Sequence, residues 1–320
     1  MKASFCGKFV WVNEMYTDYD VIIIGSGCAG LSAGLYTSRA GLRTLILEKG
    51  TMGGELMNRQ LIENYPGFGT GVQGPELGSA MLEQATNFGA EIEIGEATGL
   101  EVFPQQKMVR YDGQSRTCKG LIIASGALPR KLQVPGEDEL LGRGVFYCAT
   151  CDGPAFAAQA VAIAGAGDSG ITEALFLENL GCKITMIEFM PQPKASKILL
   201  DRATSSPNIA IKLNTRITRI LGDERVTGIE IEDRGTGAKS RVAVAGVLVR
   251  IGMLPNTRFL KGVFTLCPTG QVPVNENMET PIPGIFAAGD VRQNSPMQMA
   301  TAVGDGVTAA IAVGRYIASL

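Results

Sequence analysis

The chain contains no histidine. That absence excludes Ser-His-Asp and Cys-His catalysis and removes the usual zinc and haem ligand. Acid–base chemistry must then fall to a carboxylate, a thiol, a tyrosine or a lysine, and no metal site is expected. An excess of one charge is missing too. The 29 Lys and Arg residues nearly balance 31 Asp and Glu, leaving −2. There is no basic face to recruit nucleic acid and no acidic tail. No apolar run approaches the length of a membrane span, and Phe9–Val12 is interrupted by Asn13 and Glu14 before a secretory core develops. A cytoplasmic protein with no membrane or nucleic-acid partner is expected.

What is abundant is glycine, with 41 residues, while charged residues make up only 19%. A 320-residue chain of this kind reads as a glycine-punctuated α/β enzyme of two ordinary domains. Of its seven cysteines, Cys6, Cys28, Cys118, Cys182 and Cys267 stand alone. In a reducing compartment they are expected to be small buried apolar residues. Only Cys148 and Cys151 are close in sequence.

An internal repeat organises the chain. Residues 20–30 read DVIIIGSGCAG and residues 160–170 read AVAIAGAGDSG. In each, an apolar run enters Gly-x-Gly-x-x-Gly, a helical pattern follows, and a second apolar strand ends in an acid. The matched points Gly25/Gly165, Gly27/Gly167, Gly30/Gly170 and Glu48/Glu188 share one offset of 140 residues. This is the dinucleotide-binding pattern. Its first glycine makes a tight turn, its second admits a pyrophosphate, its third lets helix and sheet approach, and the acid accepts from a ribose diol. Two plain structural β–turn–α corners are the competing reading, and they weigh more heavily for the second copy. The fold class that follows is α/β with two Rossmann-like domains, the second inserted into the first. Boundaries are expected at 1–17 for an N-terminal arm, 18–126 with 255–320 for a discontinuous first domain, and 127–254 for the insert. Alternating apolar positions after residue 210 suggest a β-meander. The segment IPGIFAAGD suggests a strand running into a glycine–acid turn at Asp290, and the last stretch is helical.

Residues 145–156 read VFYCATCDGPAF. Two cysteines three apart near a helix start can close a small-ring disulfide, and the helix end stabilises a thiolate there. Zinc would need two further ligands that the sequence does not supply. Two inert thiols remain a competing reading, as does a simple helix-cap role for Asp152, the nearest carboxylate able to move a proton.

From Asp18 to Leu320 the sequence resembles the low-molecular-weight thioredoxin reductases. The resemblance is carried by GSGCAG, MGGEL, ENYPGF, ASGALPR, GRGVFYCATCDG, GAGDSG, IGMLPNT and GIFAAGDV. It implies a homodimer with an FAD domain interrupted by a pyridine-nucleotide domain that carries the disulfide. It also implies that Gly25, Gly27, Ala29, Gly30, Glu48, Lys49, Gly54, Glu55, Asn64, Gly126, Asp290, Gln298, Met299 and Ala300 line FAD. Cys151 would face the flavin, Cys148 would attack the partner protein, and Asp152 would donate a proton. Gly165, Gly167, Gly170 and Glu188 would form the second dinucleotide site.

The sequence departs from the family at that second site. NADPH-dependent members carry His-Arg-Arg at the strand end and another Arg four positions later. Here Glu188, Phe189 and Met190 stand at the strand end and Lys194 at the later position. Arginine clamps a 2′-phosphate through paired, charge-assisted hydrogen bonds, whereas a carboxylate repels it. NADPH is therefore disfavoured and NADH admissible, and a reduced ferredoxin-like donor is expected from related groups. Cys28 where proline is usual, and Glu55 where glutamine is common, are smaller departures. The expected activity is FAD-dependent reduction of a thioredoxin-like protein through Cys148–Cys151. A dithiol oxidase passing electrons to oxygen and a flavin-disulfide redox sensor are its rivals. Because one disulfide cannot touch flavin and a bulky protein together, a rotation of the insert is implied, with hinges near Arg130–Pro135 and Gly252–Asn256.

Overall fold

A computed structural model describes residues 16–320; Phe9 and Trp11 of the expected N-terminal arm lie outside them. The first sheet has seven strands. Its parallel part runs in the order Glu91–Ile94, Thr44–Glu48, Tyr19–Ile24, Gln114–Ile123, with Ile285–Ala287 pairing the far side of the last. Parallel strands covered on both faces read as continuous apolar runs rather than alternations. Val21, Ile22 and Ile23 accordingly have no exposed surface. The ten-residue strand Gln114–Ile123 serves two partners. Its first half pairs antiparallel with Lys107–Tyr111, which pairs with Ala97–Val102. Its second half joins the parallel core.

Helices Cys28–Arg39 and Met299–Ala318 pack against each other on one face of this sheet. Small residues allow the contact: a Cβ at Gly306 would lie 2.2 Å from the Ala29 carbonyl oxygen. The C-terminal segment is thus integral to the unit that the N-terminal segment begins.

The second unit repeats the theme with a five-stranded parallel sheet. Its order is Ile209–Lys212, Lys183–Ile187, Ala160–Ala164, Gly246–Val249, Val145–Phe146. The expected meander is the antiparallel sheet Thr215–Gly222, Val226–Asp233, Lys239–Ala243. Between the two units the chain crosses at Ala127–Pro129 and returns at Met253–Pro255, and these short strands pair antiparallel. Arg130 N–H donates to the Gly252 carbonyl at 2.9 Å, so both crossings form one narrow strap. No helix among the described residues is long and apolar enough to cross a membrane.

Candidate functional site

The two glycine turns have the same construction. Gly25 and Gly165 adopt φ of +105° and +98°, and a Cβ at either would strike a backbone oxygen at 2.3 or 2.2 Å. Only glycine meets both conditions. Gly30 and Gly170 abut the carbonyls of Gly25 and Gly165, which draws each helix onto its strand. Gly27 and Gly167 differ: a Cβ at Gly27 would meet nothing within 4 Å, and at Gly167 only Lys194 O at 3.7 Å. Those two positions face open space, as the approach of a phosphate requires.

The acids at the strand ends are buried and held alike. Glu48 Oε2 accepts from Ser26 N at 2.9 Å and Ser26 Oγ at 2.8 Å, while Oε1 accepts from Gly50 N at 2.9 Å. Glu188 Oε2 accepts from Ala166 N at 2.7 Å, and Oε1 from Met190 N at 2.9 Å. Backbone amides thus fix both carboxylates, and each retains lone pairs for a hydroxyl donor. Ser26 was not singled out by the glycine pattern, where it occupies a variable slot; its hydroxyl also accepts from Gly53 N at 3.1 Å.

Both turns open onto one continuous cleft of about 1390 Å³. Single small-molecule pockets span roughly 300–1,000 Å³, so this volume suits more than one ligand. Gly25, Gly27, Ala29, Glu48, Lys49, Gly54, Glu55, Gly126, Asp290, Gln298 and Met299 line it on the side of the first unit. Gly165, Gly167, Gly170 and Glu188 line it on the side of the second. Gly30, Asn64 and Ala300 are not in its wall, although Asn64 Nδ2 donates to Gln298 Oε1 at 3.0 Å. Burial pushes the Asp290 carboxyl up; the Ser295 hydroxyl bond opposes the shift, and the Glu55 and Asp305 charges add to it. Glu55 Oε2 is buried without a hydrogen-bond partner, its nearest cation being Arg59 at 3.8 Å.

At the departing position, Phe189 is half-exposed and takes the Arg234 guanidinium over its ring at 3.6 Å. Arg234 also donates to Phe189 O at 2.9 Å and is absent from the cleft wall, whereas Lys194 lines it.

Cys148 and Cys151 form a disulfide across a Cα separation of 5.4 Å. Cys148 caps the short helix Ala149–Asp152, its sulfur accepting from Cys151 N at 3.1 Å. Neither cysteine nor Asp152 lines the cleft. Cys151 is exposed and Cys148 half-buried, and Cys151 Sγ lies 3.5 Å from Asn58 Oδ1 of the first unit. Desolvation raises the Asp152 carboxyl above its ordinary value. Three lone thiols fit the buried, inert reading: burial pushes Cys28 and Cys118 up to about 12, and Cys182 donates to Phe156 O at 3.2 Å, whereas Cys267 is only half-buried. Cys6 lies outside the described residues. No cluster of acidic or sulfur ligands able to hold a metal occurs among the described residues.

Comparison with known proteins agrees with this geometry. The profile of the family described as "Pyridine nucleotide-disulphide oxidoreductase" matches residues 19–306. The thioredoxin reductase of Treponema pallidum is 40% identical over 306 residues, covering 96% of this chain and 99% of its own. The crystal structure of Lactococcus lactis thioredoxin reductase in its FR conformation superposes with a TM-score of 0.92 at 37% identity, covering 94% of this chain and 100% of that one. A ferredoxin-flavin thioredoxin reductase from Clostridium acetobutylicum, 26% identical over 94% of this chain and 99% of its own, superposes with 0.52. With a matched family spanning most of its length and a paired-cysteine helix set beside twin dinucleotide turns, the chain belongs to the low-molecular-weight thioredoxin reductase family and is a flavin-dependent disulfide oxidoreductase.

Proposed function

We propose that the chain binds FAD along the Gly25–Glu48 turn and the Asp290 turn, and reduces the disulfide of a thioredoxin-like protein through Cys148 and Cys151. The electrons come from a donor without a 2′-phosphate. The observation that carries this reading is a disulfide at a helix start, displayed on a unit whose dinucleotide turn shares a cleft with another. The residues fit FAD. Gly27 leaves room for a pyrophosphate, and Glu48 is held ready for a ribose diol. Glu55 Oε2 is an unpartnered acceptor for an imide or ribityl donor. Bound FAD would supply two-electron storage between donor and disulfide.

The exchange with the partner needs only this chain's sulfurs and Asp152. In the reduced pair, Cys151 is the better placed to attack a protein disulfide, because it is the more exposed residue of the two. That revises the division of labour implied by family resemblance, in which Cys148 attacks. The Cys151 thiolate forms a mixed disulfide and expels one partner thiolate, which takes a proton from Asp152. Cys148 then attacks the Cys151 sulfur, expels the second partner thiolate and restores the Cys148–Cys151 disulfide. Two electrons leave the dithiol and two enter the partner. The helix amide that already bonds Cys148 Sγ favours its thiolate for this second attack.

Two donors satisfy the condition at Glu188: a reduced ferredoxin-like protein and NADH. The intact amide cage of Glu188 and the joined cleft favour NADH as the second reading. The likeness to a reductase named for ferredoxin supports the first. The protein is further proposed to be cytoplasmic, and to act as a homodimer as family resemblance implies. Anaerobic mixing with NADH, NADPH and reduced ferredoxin in turn, followed by addition of thioredoxin, tests the reading. Flavin bleaching followed by thiol release on thioredoxin is the expected result. Bleaching reversed only by oxygen, with thioredoxin untouched, would identify a dithiol oxidase or sensor instead.

A further inference from the structure

One carboxylate lies at the junction of everything that must move. Glu173 stands on helix Asp168–Asn179 of the inserted unit, and its side chain is only 7% exposed. Glu173 Oε1 pairs with Arg59 Nη1 of the first unit at 2.9 Å and with Arg250 Nη2 at 2.5 Å. Arg250 belongs to the inserted unit just before the strap, and is 5% exposed. Glu173 Oε2 faces the amide of Ala149, between the two cysteines, at 3.3 Å. Of these three partners, only Arg59 comes from the other unit. Its remaining carboxylate neighbour is Glu55 at 3.8 Å, within the cleft wall.

In the orientation observed, both sulfurs stand outside the cleft, and the first unit meets the cysteine helix through Asn58, whose carbonyl accepts from Thr150 Oγ1 at 3.0 Å. We infer that Arg59 and Glu173 are positioning residues whose ion pair holds the inserted unit with its disulfide turned to solvent. The pair opens each time the disulfide is brought to the cleft. The inference rests on the proposed function, in which the disulfide must visit both places. A second pair between the units, Arg202 Nη1 to Glu63 Oε2 at 2.8 Å, has side chains 46% and 53% exposed. Solvent screens such a pair strongly, so it contributes little. Arg59, with 21% of its side chain exposed, and Glu173 are shielded enough to set the balance. When the units part, Glu173 keeps Arg250 and Arg59 keeps Glu55. Neither charge is stranded, which keeps opening inexpensive enough to recur on every cycle.

The test measures orientation separately from turnover. The FAD-loaded full chain is reduced, and Cys151 alkylation by iodoacetamide is followed by site-resolved mass spectrometry. Arg59→Gln should shift the inserted unit toward the cleft and slow Cys151 alkylation about tenfold, a change within the range of coupling between contacting charges. Arg59→Lys should restore much of the rate, and Glu63→Gln should leave it near wild type. Arg59→Met serves if Arg59→Gln fails to retain FAD. An unchanged alkylation rate in the Arg59 variants, or an equal slowing in Glu63→Gln, overturns the inference. Failure of the functional reading is separately visible, because wild-type protein would then leave a thioredoxin-like disulfide intact whatever the alkylation rates.

Discussion

Glu188 accepts a hydrogen bond from Ala166 N at 2.7 Å, as Glu48 accepts one from Ser26 N at 2.9 Å. The two acids hold equivalent places at the ends of equivalent strands. This bears directly on the donor, because a fixed carboxylate discriminates between a free 2′-hydroxyl and a phosphate at the same point. NADPH should bleach the flavin at least about a hundredfold more slowly than the working donor, as expected for like charges brought together in a shielded site. Stopped-flow absorbance measures it. Rapid bleaching by micromolar NADPH would defeat the assignment. If NADH is the donor, Glu188→Ala should remove its advantage while leaving reduction by ferredoxin or dithionite unchanged.

The glycines of the first turn should separate into a folding class and a binding class. Gly30→Ala places a Cβ 1.8 Å from Gly25 O and should cost about 1–3 kcal/mol of stability through overpacking. Gly27 has φ of −71° and open space beyond it, so Gly27→Ala should fold with little change in melting temperature. Its FAD affinity should nevertheless fall, by about tenfold, because the methyl occupies the phosphate approach. Thermal melts of the apoprotein and FAD titration distinguish the two. Cofactor released by denaturation should be FAD, and finding FMN would refute the dinucleotide reading.

Cysteine variants should be unequal. Cys148→Ser should retain an exposed Cys151 thiol and trap a stable mixed disulfide with thioredoxin. It should also develop thiolate–flavin charge-transfer absorbance in the turned-in orientation. Cys151→Ser should do neither, and both should lose catalytic turnover. Mass spectrometry of the trapped adduct and visible spectra check this. An adduct on Cys148 in Cys151→Ser, with none on Cys151, would restore the opposite assignment.

Asp152 gives a pH signature. Desolvation raises its carboxyl in the folded protein, so it holds its proton to higher pH than in the unfolded chain. The folded state then binds more protons between the ordinary carboxylate value and the raised one. Stability from this group is full below that window and declines as pH rises through it. Proton donation to the leaving thiolate should weaken along the same rising limb. In Asp152→Asn, thioredoxin reduction should be slower and this limb flattened, as read from kcat/KM against pH. A limb of unchanged shape would remove Asp152 as the donor.

The repeat was legible in the sequence because a phosphate-binding turn demands glycine at fixed spacing for steric reasons. The parallel strands were legible because burial on both faces leaves unbroken apolar runs such as Val21–Ile24. The meander and the C-terminal helix followed from periodicity. Hinges were expected near Arg130–Pro135 and Gly252–Asn256; the paired strands of the strap lie at Ala127–Pro129, just before the first range, and at Met253–Pro255, inside the second. Local pattern could not reveal Arg59 and Glu173 as partners. They are 114 residues apart, each is an ordinary charge on its own element, and only the packing of two units brings them together. The displacement of the disulfide from the cleft was hidden for the same reason, since orientation is a property of the assembled chain.

The placement of Ile285–Ala287 beside Gln114–Ile123 has a consequence for how the protein is made. Those strands pair Ile285 with Leu121, so the first sheet lacks a strand until the whole inserted unit has been made. The inserted unit, bounded by the paired strap, has all its strands earlier and can close first. Until then the nascent first unit presents an open edge along Leu121–Ile123 and lacks helix Met299–Ala318 over Cys28–Arg39. Synthesis therefore passes through a stage in which the later-begun unit is finished and the earlier-begun one is adhesive, the stage at which a chaperone has most to protect.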